Sequence, residues 1–239
     1  MDRLTRRELK QDEFRDNIET LERFARKNWR ALAGGGAVIA VIVGGVIGLK
    51  GYSSRQEAAA NVTLGAAIKT FNAYVGAVAP GTLSSGELSF PTARAKYQKA
   101  LSKFLAVAAK YPRTDAAAYA RIHAAICEAQ LGKDAAAMKL LESTARDSNR
   151  EIASLARFAL ANEYAKAGET SNAQKIYQDL SQHPTLTVPR ATALMATAQM
   201  YSSLQPDRAR QIYAQLQREY ASNPTLTDAI KQQLASLPN

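Results

Sequence analysis

Side chains that carry chemistry are scarce in this chain. Cys127 is the single cysteine, and His123 and His183 are the only histidines. A lone cysteine closes no internal disulfide, so the fold must hold together by packing. Within "HAAICEAQ" it reads as a small buried apolar side chain. The two histidines stand far apart with no ligand spacing, so no metal site and no cofactor are expected. His123 and Cys127 are four residues apart and would share a helix face. A nucleophilic dyad needs a third group to orient its base, and the neighbours here are alanines. No glycine-rich phosphate loop is present, because Gly34 to Gly36 lead into an apolar run. No enzyme activity is expected. Strand-like alternation is nearly missing too, and alanine dominates, which together predict an all-α chain. Lys and Arg outnumber Asp and Glu by 31 to 21, for a net charge of +10. The cations are interleaved with acids and form no dense block beside aromatics, which argues against a nucleic-acid partner.

One long hydrophobic run is present. From Ala31 to Leu49 there is no charged or strongly polar side chain, and six of the positions are glycine. Such glycine content is costly in a soluble helix, at about 1 kcal/mol each against alanine. In a membrane every backbone group is forced into the helix ladder, and glycine is tolerated. At a rise of about 1.5 Å per residue the run reaches roughly the thickness of a hydrocarbon core. We read 31–49 as one transmembrane helix. It exceeds a usual signal-peptide core and follows an unusually long charged leader, so it reads as an uncleaved signal anchor. Five cations precede it (Arg15, Arg23, Arg26, Lys27, Arg30) and three follow it (Lys50, Arg55, Lys69) within twenty residues. The asymmetry predicts a cytoplasmic N-terminus and a bulk domain outside the cytoplasm. Gly36, Ala40, Gly44 and Gly48 recur every fourth residue. Small residues so spaced let another helix approach closely, either a second copy of the chain or another protein.

Residues 1–30 read as a cytoplasmic amphipathic helix. Thr5 and Glu8 have capping-box spacing, and Phe14, Ile18, Leu21 and Ala25 form an apolar stripe. The stripe is either a membrane-adjacent solvated helix or a docking face for a cytoplasmic partner. Residues 50–91 read as a linker helix, Arg55 to Val78, followed by the loop "APGTLSSGELSFP".

Residues 92–239 carry a repeat. Ala173, Tyr177 and Leu180 in "AQKIYQDL" recur 36 residues later as Ala209, Tyr213 and Leu216 in "ARQIYAQL". Ala137 and Leu141 occupy the matching positions one period upstream, and Ala100 and Phe104 the ones before. Gly132 and Gly168 are also 36 apart, and Tyr164 and Tyr201 are 37 apart. A period of this length in alanine-rich sequence marks stacked helical hairpins. The pattern small-x₃-aromatic followed by Pro112, Pro184 or Pro224 resembles tetratricopeptide repeats, in three to four divergent copies. Leu141 in place of an aromatic, and first helices without the family's Trp and Leu-Gly positions, depart from it. With "LTRRELKQDEF" ahead of a single anchor, the whole chain also resembles the YfgM family of single-pass bacterial inner-membrane proteins, ancillary to the Sec translocon.

That resemblance implies a periplasmic α-solenoid that works beside the translocon and periplasmic chaperones. The implied function is a membrane-anchored protein–protein interaction scaffold assisting export or folding of secreted chains. An envelope-assembly or division adaptor, and a transmembrane sensor signalling through the cytoplasmic helix, share the same architecture. In tetratricopeptide repeats the first helix of each hairpin lines the concave face. Aligned through Gly132, Tyr164 and Tyr201, the inward positions are Ile122, Ile126, Phe158, Asn162, Met195 and Gln199. They describe an apolar groove with a few amides, suited to an apolar helix or an unfolded segment. The alternative is that they pack on a neighbouring helix, 55–78 being the candidate.

Overall fold

The computed structural model describes residues 29–76 and 87–238, with side chains from Lys50 onward. Among the described residues nine helices follow one another, and the all-α class predicted by composition is observed. They are α1 (Trp29–Phe71), α2 (Ala93–Lys110), α3 (Asp115–Gln130), α4 (Asp134–Thr144) and α5 (Arg150–Lys166), then α6 (Thr170–Gln182), α7 (Arg190–Tyr201), α8 (Pro206–Glu219) and α9 (Pro224–Ala235). The chain divides at Arg55/Gln56 into two units. The cytoplasmic helix expected over 1–30 lies outside the described residues up to position 28, and Trp29 and Arg30 open α1. The expected span 31–49 is helical, as part of α1, but its side chains, the stripe Gly36, Ala40, Gly44 and Gly48 included, also lie outside them. Among the described residues no helix is long and apolar enough to cross a membrane.

The linker helix stops earlier than its expected end at Val78. After Phe71 the chain turns, and Tyr74–Val75 (β1) pairs in parallel with Ser89–Phe90 (β2). The Tyr74 N–H donates to Leu88 O and the Gly76 N–H to Phe90 O, each at 2.9 Å. An aromatic beside a β-branched residue favours this extended backbone over another helical turn.

In the second unit, residues 56–239, each helix from α2 on packs against the next, and α3, α5 and α7 also touch in series. Local chemistry sets the helix ends. Thr92, Thr114, Asn149 and Asn223 each cap a helix start by accepting a hydrogen bond from an amide of the first turn. Gly132 and Gly168, at φ +76° and +79°, end α3 and α5 in the left-handed region. There the Lys133 N–H donates to Glu128 O and the Glu169 N–H to Tyr164 O, satisfying carbonyls that the helices leave unpaired.

The small-x₃-large pairs all face inward. Ala100, Ala137, Ala173 and Ala209 are fully buried, and so, within 2 %, are Phe104, Leu141, Tyr177 and Tyr213. The alanine lets the facing helix close in, and the large residue one turn on fills the groove beside it. Residues 56–71 are part of this packing. Ala60, Leu64 and Ala67 share a core with Ala100, Leu101 and Phe104 of α2 and with Ala116, Ala120, Ala124 and Cys127 of α3. Polar contacts then tie one hairpin to the next. The Glu57 carboxylate accepts from the Asp115 and Ala116 amides at 2.9 and 3.0 Å, and Glu151 accepts from the Thr187 amide at 2.8 Å.

Candidate functional site

Side chains of α3, α4, α5, α6 and α7 line an open cavity of about 430 Å³. Ile126 enters it from α3, Asn162 and Glu163 from α5, and Gln199 and Met200 from α7. Leu141 of α4 and Tyr177 of α6, both buried, also border it and form its floor. Ala159, Ala165 and Ala196 leave room between the larger groups. The lining is therefore mixed: six apolar side chains, and five polar ones in Asn162, Glu163, Lys166, Tyr177 and Gln199.

That set is ordered by burial. The Tyr177 hydroxyl donates to Asn162 Oδ1 at 2.5 Å. Burial, reinforced by the charge of Glu163, pushes the Tyr177 phenol up to about 12, so it stays protonated and remains a donor. With Oδ1 occupied, the Asn162 amide has its Nδ2 protons to offer an occupant. Glu163 is nearly buried and its Oε1 meets Lys166 Nζ at 2.7 Å, which neutralises the one carboxylate at the cavity. A partly apolar chamber with a fixed amide donor and an internally paired charge suits an apolar side chain beside a backbone carbonyl.

Three of the six inward positions read from the sequence come together here: Ile126, Asn162 and Gln199. The other three do not line the cavity. Ile122 is buried with Ala118, Ala125 and Leu141 between α3, α4 and α5. Phe158 lies against Tyr177, ring centroids 5.8 Å apart, and against Leu180, Val188 and Ala193. Met195 packs on the core made by Tyr201, Tyr213 and Leu216. The difference lies along the helix axis: Ile122, Phe158 and Met195 each stand one turn before Ile126, Asn162 and Gln199 on the same helix faces, and neighbouring helices cover that turn. The helix 56–71 leaves the groove positions uncovered, since its core contacts on α3 are Ala116, Ala120, Ala124 and Cys127, the face opposite Ile122. Reading the hairpin's large position as core alone missed Tyr177. Its hydroxyl was the signal, since a buried tyrosine seeks a hydrogen-bond partner.

Elsewhere, Cys127 and His123 are sequestered, while His183 is exposed beside Asp179. Cys127 is fully buried, and burial, with the charge of Glu128, pushes its thiol up to about 12. His123 stacks on Phe104 at 5.0 Å and meets Phe71 edge-on at 5.6 Å. Burial holds its imidazole below the ordinary value, and its Nδ1 has no hydrogen-bond partner. Among the described residues no three His, Cys, Asp or Glu side chains could share a metal ion. No protein-family model, curated protein or solved structure matches this chain.

Proposed function

We propose that the chain is a membrane-anchored interaction scaffold, an α-solenoid of divergent tetratricopeptide-like hairpins held at the bacterial inner membrane by the helix over 31–49 and facing the periplasm. The YfgM-like layout and the charge asymmetry around Ala31 to Leu49 support the anchor and its orientation. The observation that carries the binding role is the cavity itself. Helices with consecutive hairpin positions border one chamber of mixed lining with an oriented amide, and residues 56–71 leave it open. The occupants we assign are apolar segments of secreted chains, met close to the translocon and its periplasmic chaperones. Burial of their side chains drives capture, and the Asn162 amide reads their backbone. The solenoid is a binder with no catalytic or cofactor role.

The test is photocrosslinking in intact cells from full-length protein. A photoreactive residue at exposed Gln199, on the cavity, should trap exported chains or translocon and chaperone subunits. The same residue at exposed Lys175, on α6 and away from the cavity, should not. Identical partners from both positions, or none from position 199, would overturn the binding role. A reporter active only outside the cytoplasm, fused after Asn239, checks the orientation independently.

A further inference from the structure

The loops that join one hairpin to the next (111–114, 145–149, 183–189 and 220–223) lie along one edge of the second unit. Side-chain links across them establish this. Asn149 Nδ2 donates to Asp115 Oδ2 at 3.0 Å, Arg150 reaches the carbonyls of His183 and Pro184, and Arg190 meets Glu219 at 3.3 Å. Glu57 belongs to the same edge through its bonds to the Asp115 and Ala116 amides.

The charge on this edge is one-sided. Lys110, Arg113, Arg146, Arg150 and Arg218 are all exposed, and none of them forms an ion pair among the described residues. The acids nearby are engaged internally. Asp115 is held by Asn149, Glu151 by Thr187, Asp147 by Arg121, Asp179 by Arg157, and Glu219 by Arg190. At the other ends of the helices the turns 131–133, 167–169 and 202–205 with their flanking residues carry both signs: Lys133 paired with Glu128, Lys166 paired with Glu163, Arg208 over the Tyr201 ring, and the acids Asp134, Glu169 and Asp207.

On the same edge stands Leu186, 90 % exposed, in a loop that has no cation of its own but is joined to Arg150 through the His183 and Pro184 carbonyls. The loop is pinned on both sides of it. The Thr187 amide and hydroxyl bond to Glu151, and the Thr185 N–H donates to Val188 O at 3.1 Å, while the Val188 N–H donates to the Thr185 hydroxyl. An aliphatic side chain held out in water on an edge with unpaired cations matches the chemistry of an anionic bilayer surface, which takes an apolar group into its interface and cations at its headgroups.

We propose that this loop edge docks on an anionic lipid bilayer, with Leu186 entering the interface. The proposal rests on the anchor reading, because Glu57 follows Leu49, the end of the expected span, by eight residues. Eight residues reach at most about 29 Å even fully extended, so an anchor keeps Glu57, at one end of this edge, within that distance of the surface and raises the effective concentration of the edge there. Each cation multiplies the docked-to-undocked ratio by about fivefold near an anionic surface, and salt weakens the effect.

The test uses full-length protein in vesicles of phosphatidylcholine, with or without phosphatidylglycerol. Leu186→Cys and, on the other edge, exposed Leu204→Cys each receive a nitroxide label, and buried Cys127 is left in place. The label at 186 should move from water into the interface only when phosphatidylglycerol is present, and high salt should reverse the shift. The label at 204 should stay in water. Arg113→Gln, Arg146→Gln and Arg218→Gln together should lower the docked-to-undocked ratio by roughly a hundredfold. The salt and lipid comparisons need no variant at those arginines, so a folding defect there cannot mask the result. A label at 186 that stays aqueous in anionic vesicles overturns the docking, as does one shielded by duplex DNA but not by lipid. Carbonate-resistant flotation of the chain with vesicles reports on the anchor separately. If flotation fails, the anchor reading falls and takes the docking with it; if it succeeds while 186 stays in water, only the docking falls.

Discussion

Tyr177 occupies the large position of its hairpin's small-x₃-large pair, and its hydroxyl leaves that packing to reach Asn162 at 2.5 Å. Its ring is core and its oxygen belongs to the cavity. Tyr177→Phe keeps the ring and removes the bond, so it should cost about 1 kcal/mol and free the Asn162 amide to turn. The pH dependence has a definite sign. The folded-state phenol is raised from 10.0 to about 12, so its contribution is complete below pH 10 and is lost as pH rises through 12. Urea unfolding of the wild type should therefore weaken across that interval, and less steeply in Tyr177→Phe. Equal alkaline slopes for the two proteins would mean that the phenol is not held neutral by burial.

The tetrapeptide Pro-Thr-Leu-Thr occurs twice, at 184–187 and 224–227, and adopts two structures. After Asn223, whose side chain caps Leu226 N, it opens α9 with proline in the first turn. After His183 it forms the loop that presents Leu186. Two features divert it. Pro189 disfavours helical backbone at Val188, and Glu151 takes the Thr187 amide and hydroxyl. The bond from the Thr187 amide holds the Glu151 carboxyl below the ordinary carboxylate range. A lowered folded-state value stabilises above the unfolded one, about 4.3, and that contribution is lost as pH falls through the folded value. Melting temperature followed from neutral pH down to acid should fall less in Glu151→Gln than in the wild type. A variant with undiminished acid sensitivity would assign that sensitivity to other carboxylates.

Across the whole molecule, stability resides in interfaces that neighbouring hairpins share. Phe158 shows this. It is half-buried on α5 yet touches Tyr177 and Leu180 of α6 and Ala193 of α7. Met195 does the same between α7 and the C-terminal core. Phe158→Ser with Met195→Ser should therefore cost several kcal/mol, in keeping with about 2–5 for a single large-to-small core change. Gln199→Ala, on the exposed face of the cavity, should change stability by less than about 0.5 kcal/mol. Denaturant midpoints measured on the same protein separate them. A midpoint that is unmoved in the double variant would return both side chains to the binding surface.

The sequence by itself determined the helices, the 36-residue period and the buried pairs from Ala100–Phe104 to Ala209–Tyr213. These are consequences of spacing along one helix, where side chains three and four residues apart share a face. Gly132 and Gly168 were legible as a recurrence 36 residues apart, and the structure gives its reason, a left-handed helix end at each. The tertiary structure alone decided at which turn of each helix the cavity opens. Ile122, Phe158 and Met195 share faces with Ile126, Asn162 and Gln199 one turn on, and only the packing of neighbouring helices separates the two levels. It alone also joined residues 56–71 to the hairpins, through Ala60, Leu64 and Ala67, where the sequence suggested a linker. Nothing local distinguishes an alanine that faces water from one that faces another alanine. The bonds from Asn162 to Tyr177, from Glu57 to Asp115 and from Glu151 to Thr187 link groups 15, 58 and 36 residues apart. Such pairings are set by how helices pack within a hairpin, for Asn162 with Tyr177, and between hairpins, for the other two.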